Sequence, residues 1–323
     1  MRRLALLASL SLMVAVAPAA AQDYPSQAIK IIVPQPAGGG FDTVARVLAE
    51  KLAPRLGQGV VVENRQGAGT IVGTQAAIQA PADGYTMLLG GLSNIALNPG
   101  LYPNLPYNPL RDLTPIGLAV SWSYTLIARK DLPQQTLVEL FAYARANPGK
   151  VTYASAGRGS GQHIAAAVTE HLAGVKMVHV PYRGAQAAYQ DLMGGRVDLF
   201  FDISSTARAQ VDGGTVRALA VSSAARQPFH PDVPSVAETG VAALDMESWF
   251  GLFVNSATPP DVVARLRREL AAVLALPEIR DTFARTGGRV MTLDADQTQA
   301  LIRRDVERWT ALIKGAGLTE TGN

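Results

Sequence analysis

No cysteine occurs in the 323 residues. The chain therefore holds no disulfide, no thiolate metal site and no thiol for lipid attachment, and its stability must come from packing. Histidine is scarce too. His163, His171 and His179 lie eight residues apart and His230 sits in a proline-rich loop. No two fall at the one-turn spacing that clasps a metal, so no metal site is expected. Charge of one sign is also missing. The formal charge of +3 falls to +1 once Arg2 and Arg3 are removed with the first 21 residues. A nearly neutral chain gives no footing for nucleic acid held through its phosphates, and no nucleic-acid partner is expected. There is no Gly-x-Ser-x-Gly elbow, no Gly-Lys-Ser/Thr after a glycine loop and no dinucleotide glycine spacing. No catalytic residue and no cofactor can be named from the sequence.

What is present is apolar: 48% of the chain is hydrophobic against 17% charged, the composition of a globular protein. Met1-Arg2-Arg3 precedes an apolar core, Leu4 to Val16, and Ala19-Ala20-Ala21 follows as a small-residue cleavage site. This pattern predicts a signal peptide over residues 1–21, cut before Gln22, and export to the periplasm. A membrane anchor is the other reading, but the run is short and broken by Pro18.

The chain is organised around Val33-Pro34-Gln35-Pro36-Ala37-Gly38-Gly39-Gly40-Phe41-Asp42. The apolar run Ile31-Ile32-Val33 enters it as a strand, and Val44, Val47-Leu48 and Leu52 leave it at helical spacing. Asp42 is placed to cap that helix. A strand, a glycine loop and a helix start make an anion site, because free N–H groups and the helix dipole point the same way. An ordinary strand-to-helix turn with a good cap explains the same residues.

Strands and helices then alternate. Val60–Asn64, Thr86–Leu89, Ile116–Val120 and Thr125–Arg129 read as strands, with a helix over 70–80 and a loop-rich stretch over 90–115. A second series follows: helix 136–146, strand 151–154, helix 162–173, strand 178–180, helix 185–193, strand 197–201, short helix 206–211 and strand 216–221. Trp249–Val254 is a last strand before helices at 260–274, 277–285 and 295–313. Such alternation implies parallel sheets with loops gathered at the strand ends. Two series suggest two α/β lobes, with the chain crossing near 120–125 and 248–253 and the last helices returning to the first lobe. Ligands favour the cleft of such a hinge.

The second glycine cluster, Ser155-Ala156-Gly157-Arg158-Gly159-Ser160-Gly161-Gln162-His163, also follows a strand and opens a helix. One such loop per lobe would offer N–H groups to a carboxylate, with Ser155 and Ser160 adding hydroxyls. His163 reads either as a donor or as a packing residue. Ser93-Asn94, Tyr182 in Pro181-Tyr182-Arg183-Gly184, and Asp202 in Phe201-Asp202-Ile203-Ser204 each end a strand. Each is a candidate for the cleft and equally a plain turn or cap residue. Arg158 and Arg183 are the nearest cations, and both read as solvated.

Taken in order, these motifs resemble the tripartite tricarboxylate transporter solute receptors, the Bug family of extracytoplasmic binding proteins. The resemblance runs through Tyr24-Pro25, the 33–42 loop, Val62-Glu63-Asn64-Arg65, Gly67-Ala68-Gly69, Ala82-Asp83-Gly84-Tyr85-Thr86 and the 155–163 loop. It continues through His179-Val180-Pro181-Tyr182-Arg183-Gly184, Gly194-Gly195-Arg196-Val197-Asp198, Arg217–Val221 and Pro231–Ser235. It implies an α/β, two-lobed periplasmic-binding-protein fold of type II, two Rossmann-like domains on a two-strand hinge. Lobe 1 would be 22–122 with 250–323, and lobe 2 would be 123–249. It also implies a monomeric receptor that takes a small carboxylate or related amide and delivers it to membrane permease subunits. Loop backbone groups and ordered water, more than fixed arginines, would hold the ligand. The site would comprise Gln35, Ala37, Gly38, Gly39, Gly40, Asp42, Ser93, Asn94, Ser155, Gly157, Arg158, Gly159, Ser160, His163, Tyr182 and Asp202.

Two departures bear on the ligand. Gln35 and Ala37 stand where the family has Phe and Pro, and Ile203-Ser204-Ser205-Thr206 replaces an Asn-Leu-Pro-Ser-like run. The first makes the cleft edge more polar, and together they prevent a ligand being carried over from a relative. A secreted enzyme on the same scaffold and a sensor receptor remain the other readings, since fold does not fix function. Intact-mass measurement of the exported protein is expected to show Gln22 as the first residue; a product retaining Met1–Ala21 would mean an anchor instead.

Overall fold

In a computed structural model, residues 24–320 are described. The expected signal peptide and its cleavage point lie outside them. Ten strands are present among these residues: β1 (Ile29–Val33), β2 (Val60–Asn64), β3 (Thr86–Gly91), β4 (Leu113–Arg129), β5 (Thr152–Ser155), β6 (Val178–Pro181), β7 (Leu199–Ile203), β8 (Val216–Val221), β9 (Glu247–Asn255) and β10 (Arg289–Val290). The strand path is β2-β1-β3-β9-β4-β7-β5-β6, with β8 and β10 also paired to β4. Pairing is parallel within β2-β1-β3 and within β7-β5-β6, and antiparallel around β4 and β9.

The two strands expected at 116–120 and 125–129 are one continuous strand of 17 residues. From Leu113 to Ser123, β4 pairs with β9. From Tyr124 onward it pairs with β7 and β8. One strand thus serves both halves of the molecule, changing partners between Ser123 and Tyr124. This is the two-lobed architecture of a type II periplasmic binding protein. The two-residue β10 carries too short a pattern to be read from the sequence.

The helices are α1 (Gly40–Leu56), α2 (Ile71–Ile78), α3 (Asn98–Leu101), α4 (Pro109–Asp112), α5 (Leu137–Ala146), α6 (Gly161–Ala173), α7 (Ala185–Met193), α8 (Ser204–Asp212), α9 (Pro260–Leu274), α10 (Pro277–Ala284) and α11 (Ala295–Gly315). A π-helical segment, Leu92–Leu97, precedes α3. Each long helix buries an apolar stripe. In α1 it is Val44, Leu48 and Leu52; in α9 it is Val262, Val263, Leu266, Leu270 and Val273. These spacings of three and four put the side chains on one face, and α9 packs on α1 and β4. In α11 the stripe is Thr298, Ile302, Asp305, Trp309 and Ile313, which packs on α3 and the π-helical segment. The returning helices therefore cover the first half, as expected.

Hydroxyls occupy the crossing. Ser204 Oγ lies 2.7 Å from Ser123 Oγ and 3.0 Å from Thr125 Oγ1, and donates to the Ser123 carbonyl. Ser222 Oγ accepts from the Tyr124 N–H and donates to the Met246 carbonyl. The antiparallel pair itself is tight. A Cβ on Gly251 would strike the Gly117 carbonyl and sit 2.9 Å from Leu118 Cα. Backbone cannot yield as a flexible side chain can, so Gly251→Ala should destabilise the fold by about 1–3 kcal/mol. A lowered urea midpoint with unchanged slope checks this; an unchanged midpoint would show that the crossing is looser than these contacts require.

Candidate functional site

The first glycine loop leaves β1 and enters α1. Gly38 has φ 84°, a left-handed conformation open to glycine. Gly39 has φ −88° and is the N-cap of α1, with no side-chain cap. Asp42 is therefore not the cap expected from the sequence. It lies inside the first turn, 4% exposed, and its carboxylate turns back into the loop. Oδ2 accepts from the Gly38 N–H and from Arg46 Nε, both at 2.9 Å, and Oδ1 accepts from Asn64 Nδ2 at 3.0 Å. Burial pushes this carboxyl up, but the bonds from Arg46, Gly38 and Asn64 outweigh it and hold Asp42 below the usual carboxylate range. Asn64 Nδ2 also donates to the Gln35 carbonyl. These braces shape the loop without using the helix end. The first backbone bond of α1 is Thr43 N–H to the Gly39 carbonyl, so the N–H groups of Gly40, Phe41 and Asp42 precede it.

The second glycine loop is built differently. Ser155 is fully buried; its Oγ lies 2.7 Å from His179 Nε2 and bonds both N–H and carbonyl of Gly157. Ser160 caps α6, accepting from the His163 N–H while donating to the Gly157 carbonyl. His163 Nδ1 accepts from the Gly159 N–H. The donors of Gly157 and Gly159, expected to face a ligand, are thus spent inside the loop. The N–H groups of Gly161 and Gln162 precede the first backbone bond of α6 and remain unpaired among the described hydrogen bonds. Gly161 is needed for space: a Cβ there would press into the Tyr124 ring, with Cζ at 2.8 Å.

Beneath this loop three rings stack. His179 lies between Tyr153, 5.0 Å away, and His163, 4.1 Å away between centroids. Burial lowers the His163 pKa to about 3, with added repulsion from His179 and Arg158, and burial likewise lowers His179 to about 4. The stack is neutral at ordinary pH. His163 takes the packing role that the sequence left open against a donor role.

The remaining candidates divide. Asn94 is wholly buried; it accepts from the Gly91 N–H and donates to Thr74, so its amide shapes the π-helical turn. Asp202 is 1% exposed and accepts from Tyr189, Gln162 and Thr206. Burial raises its pKa. It is not the N-cap of α8, which is Ile203. The Tyr182 hydroxyl donates to Asp191 on α7, 2.8 Å away. Ser93, Gln35 and Ala37 remain at the loop ends, and Arg158 and Arg183 are exposed.

The two halves meet at these loops. A Cβ on Gly40 would sit 3.6 Å from Ile203, the uncapped N-cap of α8. A Cβ on Gly159 would sit 3.1 Å from the Tyr102 hydroxyl, and one on Gly69 would sit 3.1 Å from Tyr102 Cζ. Tyr102 therefore stands between a glycine loop of each half, and burial raises its pKa. Sequence reasoning missed it, because Tyr102 lies in a proline-rich stretch with no periodicity. It also missed Gln162, whose amide ties the second loop to Asp202 at 3.3 Å. Among the described residues no group of three His, Cys, Asp or Glu side chains is placed to hold a metal. No described helix is long and apolar enough to cross a membrane.

Residues 44–318 match the tripartite tricarboxylate transporter family receptor. Among solved structures the chain is similar to the periplasmic binding protein BugD, at 37% identity and TM-score 0.84 over 92% of this chain and all of that one. It is similar to Rpa4515 of R. palustris with adipate, at 30% identity and TM-score 0.85 over 91% and 99%. It is likewise similar to MatC of Rhodopseudomonas palustris with bound malate, at 30% identity and TM-score 0.83 over 90% and 100%.

The buried histidines give a pH dependence. In the unfolded chain both bind protons below about pH 6.5. In the folded chain they do so only near 4 and 3. Between those limits the unfolded state holds more protons, so stability falls as pH drops through 6.5. Urea unfolding should show lower stability at pH 5 than at pH 7 by up to about 2 kcal/mol for each histidine, and His163→Gln should remove one of the two contributions. Equal stability at the two pH values would contradict a neutral buried stack.

Proposed function

This chain belongs to the tripartite tricarboxylate transporter family of receptors, and from that premise we propose that it is a monomeric periplasmic receptor for a small polar carboxylate, which it passes to the membrane subunits of such a transporter. Lobe 1 is taken as residues 24–122 with 250–320, and lobe 2 as 123–249. The observation that carries the site is the unspent start of α1. Gly38, Gly39 and Gly40 lead into it, no side chain caps it, and the uncapped start of α8 lies near, since a Cβ on Gly40 would sit 3.6 Å from Ile203. From lobe 2, Gly161 and Gln162 add two N–H groups beside Tyr124.

Each part has a role in this reading. Backbone N–H groups and the helix dipole take the place of a fixed cation around the carboxylate. Asp42, Asn64, Ser155, Ser160, His163, Asn94 and Asp202 position the loops and touch no ligand. Gln35, Ala37 and Ser93 line the edge, and Tyr102 closes the gap between lobes. Adipate and malate in the neighbouring structures support a carboxylate class. The polar edge made by Gln35 favours a hydroxylated acid over a plain alkane diacid. The lobes close over it, and the rotatable hydroxyls at the crossing allow the strands to flex.

Malate and adipate serve as probes in a thermal-shift assay. Malate should stabilise more than adipate, approaching about 2.7 kcal/mol at 100 times its dissociation constant. Gly159→Val should abolish binding in a folded protein, because φ 74° resists a branched side chain and the new atoms meet Tyr102. Arg158→Ala and Arg183→Ala should each cost less than about tenfold in affinity. If an arginine variant loses binding while Gly159→Val keeps it, recognition is by ion pair and this reading of the site fails.

A further inference from the structure

A cavity of about 900 Å³ lies at the crossing strands, and none of its walls belongs to the glycine loops. Its floor comprises Ser121 of β4, Trp249 of β9 and Trp309 of α11; Phe229 and Met291 close the sides. We propose that it is a second ligand site, taking a carboxylate carried on a flat apolar body, an arylalkanoate. The volume suits a small molecule. The two indoles and the phenyl ring make part of the lining apolar and aromatic, as suits an aromatic body.

The polar groups point to an anion. Four arginines line the cavity: Arg226, Arg289, Arg304 and Arg308. The first three are paired with Glu238, Glu247 and Asp305. Arg308 makes no ion pair among the described residues. Its guanidinium lies 5.1 Å over the Trp309 ring, with Nη2 donating to the Asp245 carbonyl. A guanidinium has five N–H donors, so most of this one remains open to an acceptor. Four arginines stand against three acids on the wall, Asp245, Glu247 and Asp305. Glu247 holds Arg289, Asp305 accepts from Trp249 Nε1 at 2.8 Å, and Asp245 accepts from the Ala224 N–H.

An independent observation is Ser121. It is 2% exposed, it is one of the residues around the cavity, and its Oγ has no hydrogen-bond partner. Buried hydroxyls are ordinarily bonded, so an orphan beside the cavity is a donor that a bound acceptor could satisfy. Ser121 is fixed by β4 pairing with Trp249 on one side and Arg289 on the other. The hydroxyl, the free guanidinium and the aromatic walls thus belong to one rigid frame.

The test uses 4-phenylbutyrate and its neutral counterpart, 4-phenylbutan-1-ol, read by tryptophan emission. Two of the three tryptophans, Trp249 and Trp309, line the cavity, whereas Trp122 packs on Phe250 and Phe283. The acid should give a saturable change and bind at least about tenfold tighter than the alcohol. Arg308→Ala should remove that advantage, Arg308→Lys should restore part of it, and Arg158→Ala in the cleft loop should change nothing. Circular dichroism checks that each variant is folded. The proposal is overturned by no saturable change at millimolar acid, by equal binding of acid and alcohol, or by an effect of Arg158→Ala with none of Arg308→Ala.

Discussion

Everything in this molecule depends on one strand that belongs to two sheets. β4 gives its first eleven residues to β9 and the rest to β7 and β8, changing partners between Ser123 and Tyr124. A strand cannot bend freely in mid-sheet, because its ladder bonds fix both neighbours. Here the ladder hands over at the point where both lobes need freedom. Hydroxyls of Ser123, Thr125, Ser204 and Ser222 stand in for part of it. A hydroxyl can rotate and trade partners where a ladder bond cannot. The same handover brings the β7 end beside the β4 crossing, and so places the start of α8 opposite the start of α1.

The glycine loops look alike in sequence and differ in how they are held. The first is braced by a charged group from within its own helix: Asp42 reaches back to Gly38, and Arg46 and Asn64 hold it there. The second is braced by neutral groups, two serines and a histidine in a ring stack. In the first, side chains satisfy the loop and leave the helix start alone; in the second, Ser160 also caps α6 through the His163 N–H. The difference decides which donors stay free. In the first loop they are those of Gly40 to Asp42; in the second, bonds within the loop consume those of Gly157 and Gly159, and freedom moves on to Gly161 and Gln162.

Helices and strands with clear periodicity were legible from the residues. α7, α9 and β8 fall within the residues expected for them. The breadth of β4 was hidden, since a strand buried on both sides by different partners shows no alternation between 116 and 129. Side-chain roles at the loops were less legible. Asp, Ser and His beside glycines suit both bracing a loop and binding a ligand. Distances show Asp42, Ser155, Ser160 and His163 bracing their loops. Tyr102 and Ser121 had no signal at all, because their importance comes from what lies across from them.

Magnitudes explain why a carboxylate receptor built this way needs both lobes. One helix start favours an anion by about 0.3–1 kcal/mol at an exposed site, and up to about 2 when partly buried. A hydrogen bond to a charged group adds about 1.5–3 kcal/mol. The donors of one lobe, less the cost of ordering a ligand, reach about the 4 kcal/mol of millimolar binding. Micromolar binding needs about 8 kcal/mol. The missing half has to come from the opposite helix start and from excluding water, both of which strengthen when the lobes meet. Neutral histidines under the second loop fit this balance. A charged pair there would attract the anion to one lobe whether or not the other had closed. With recognition divided between two dipoles, affinity and closure become one event, as a receptor that must signal its loaded state to a partner requires.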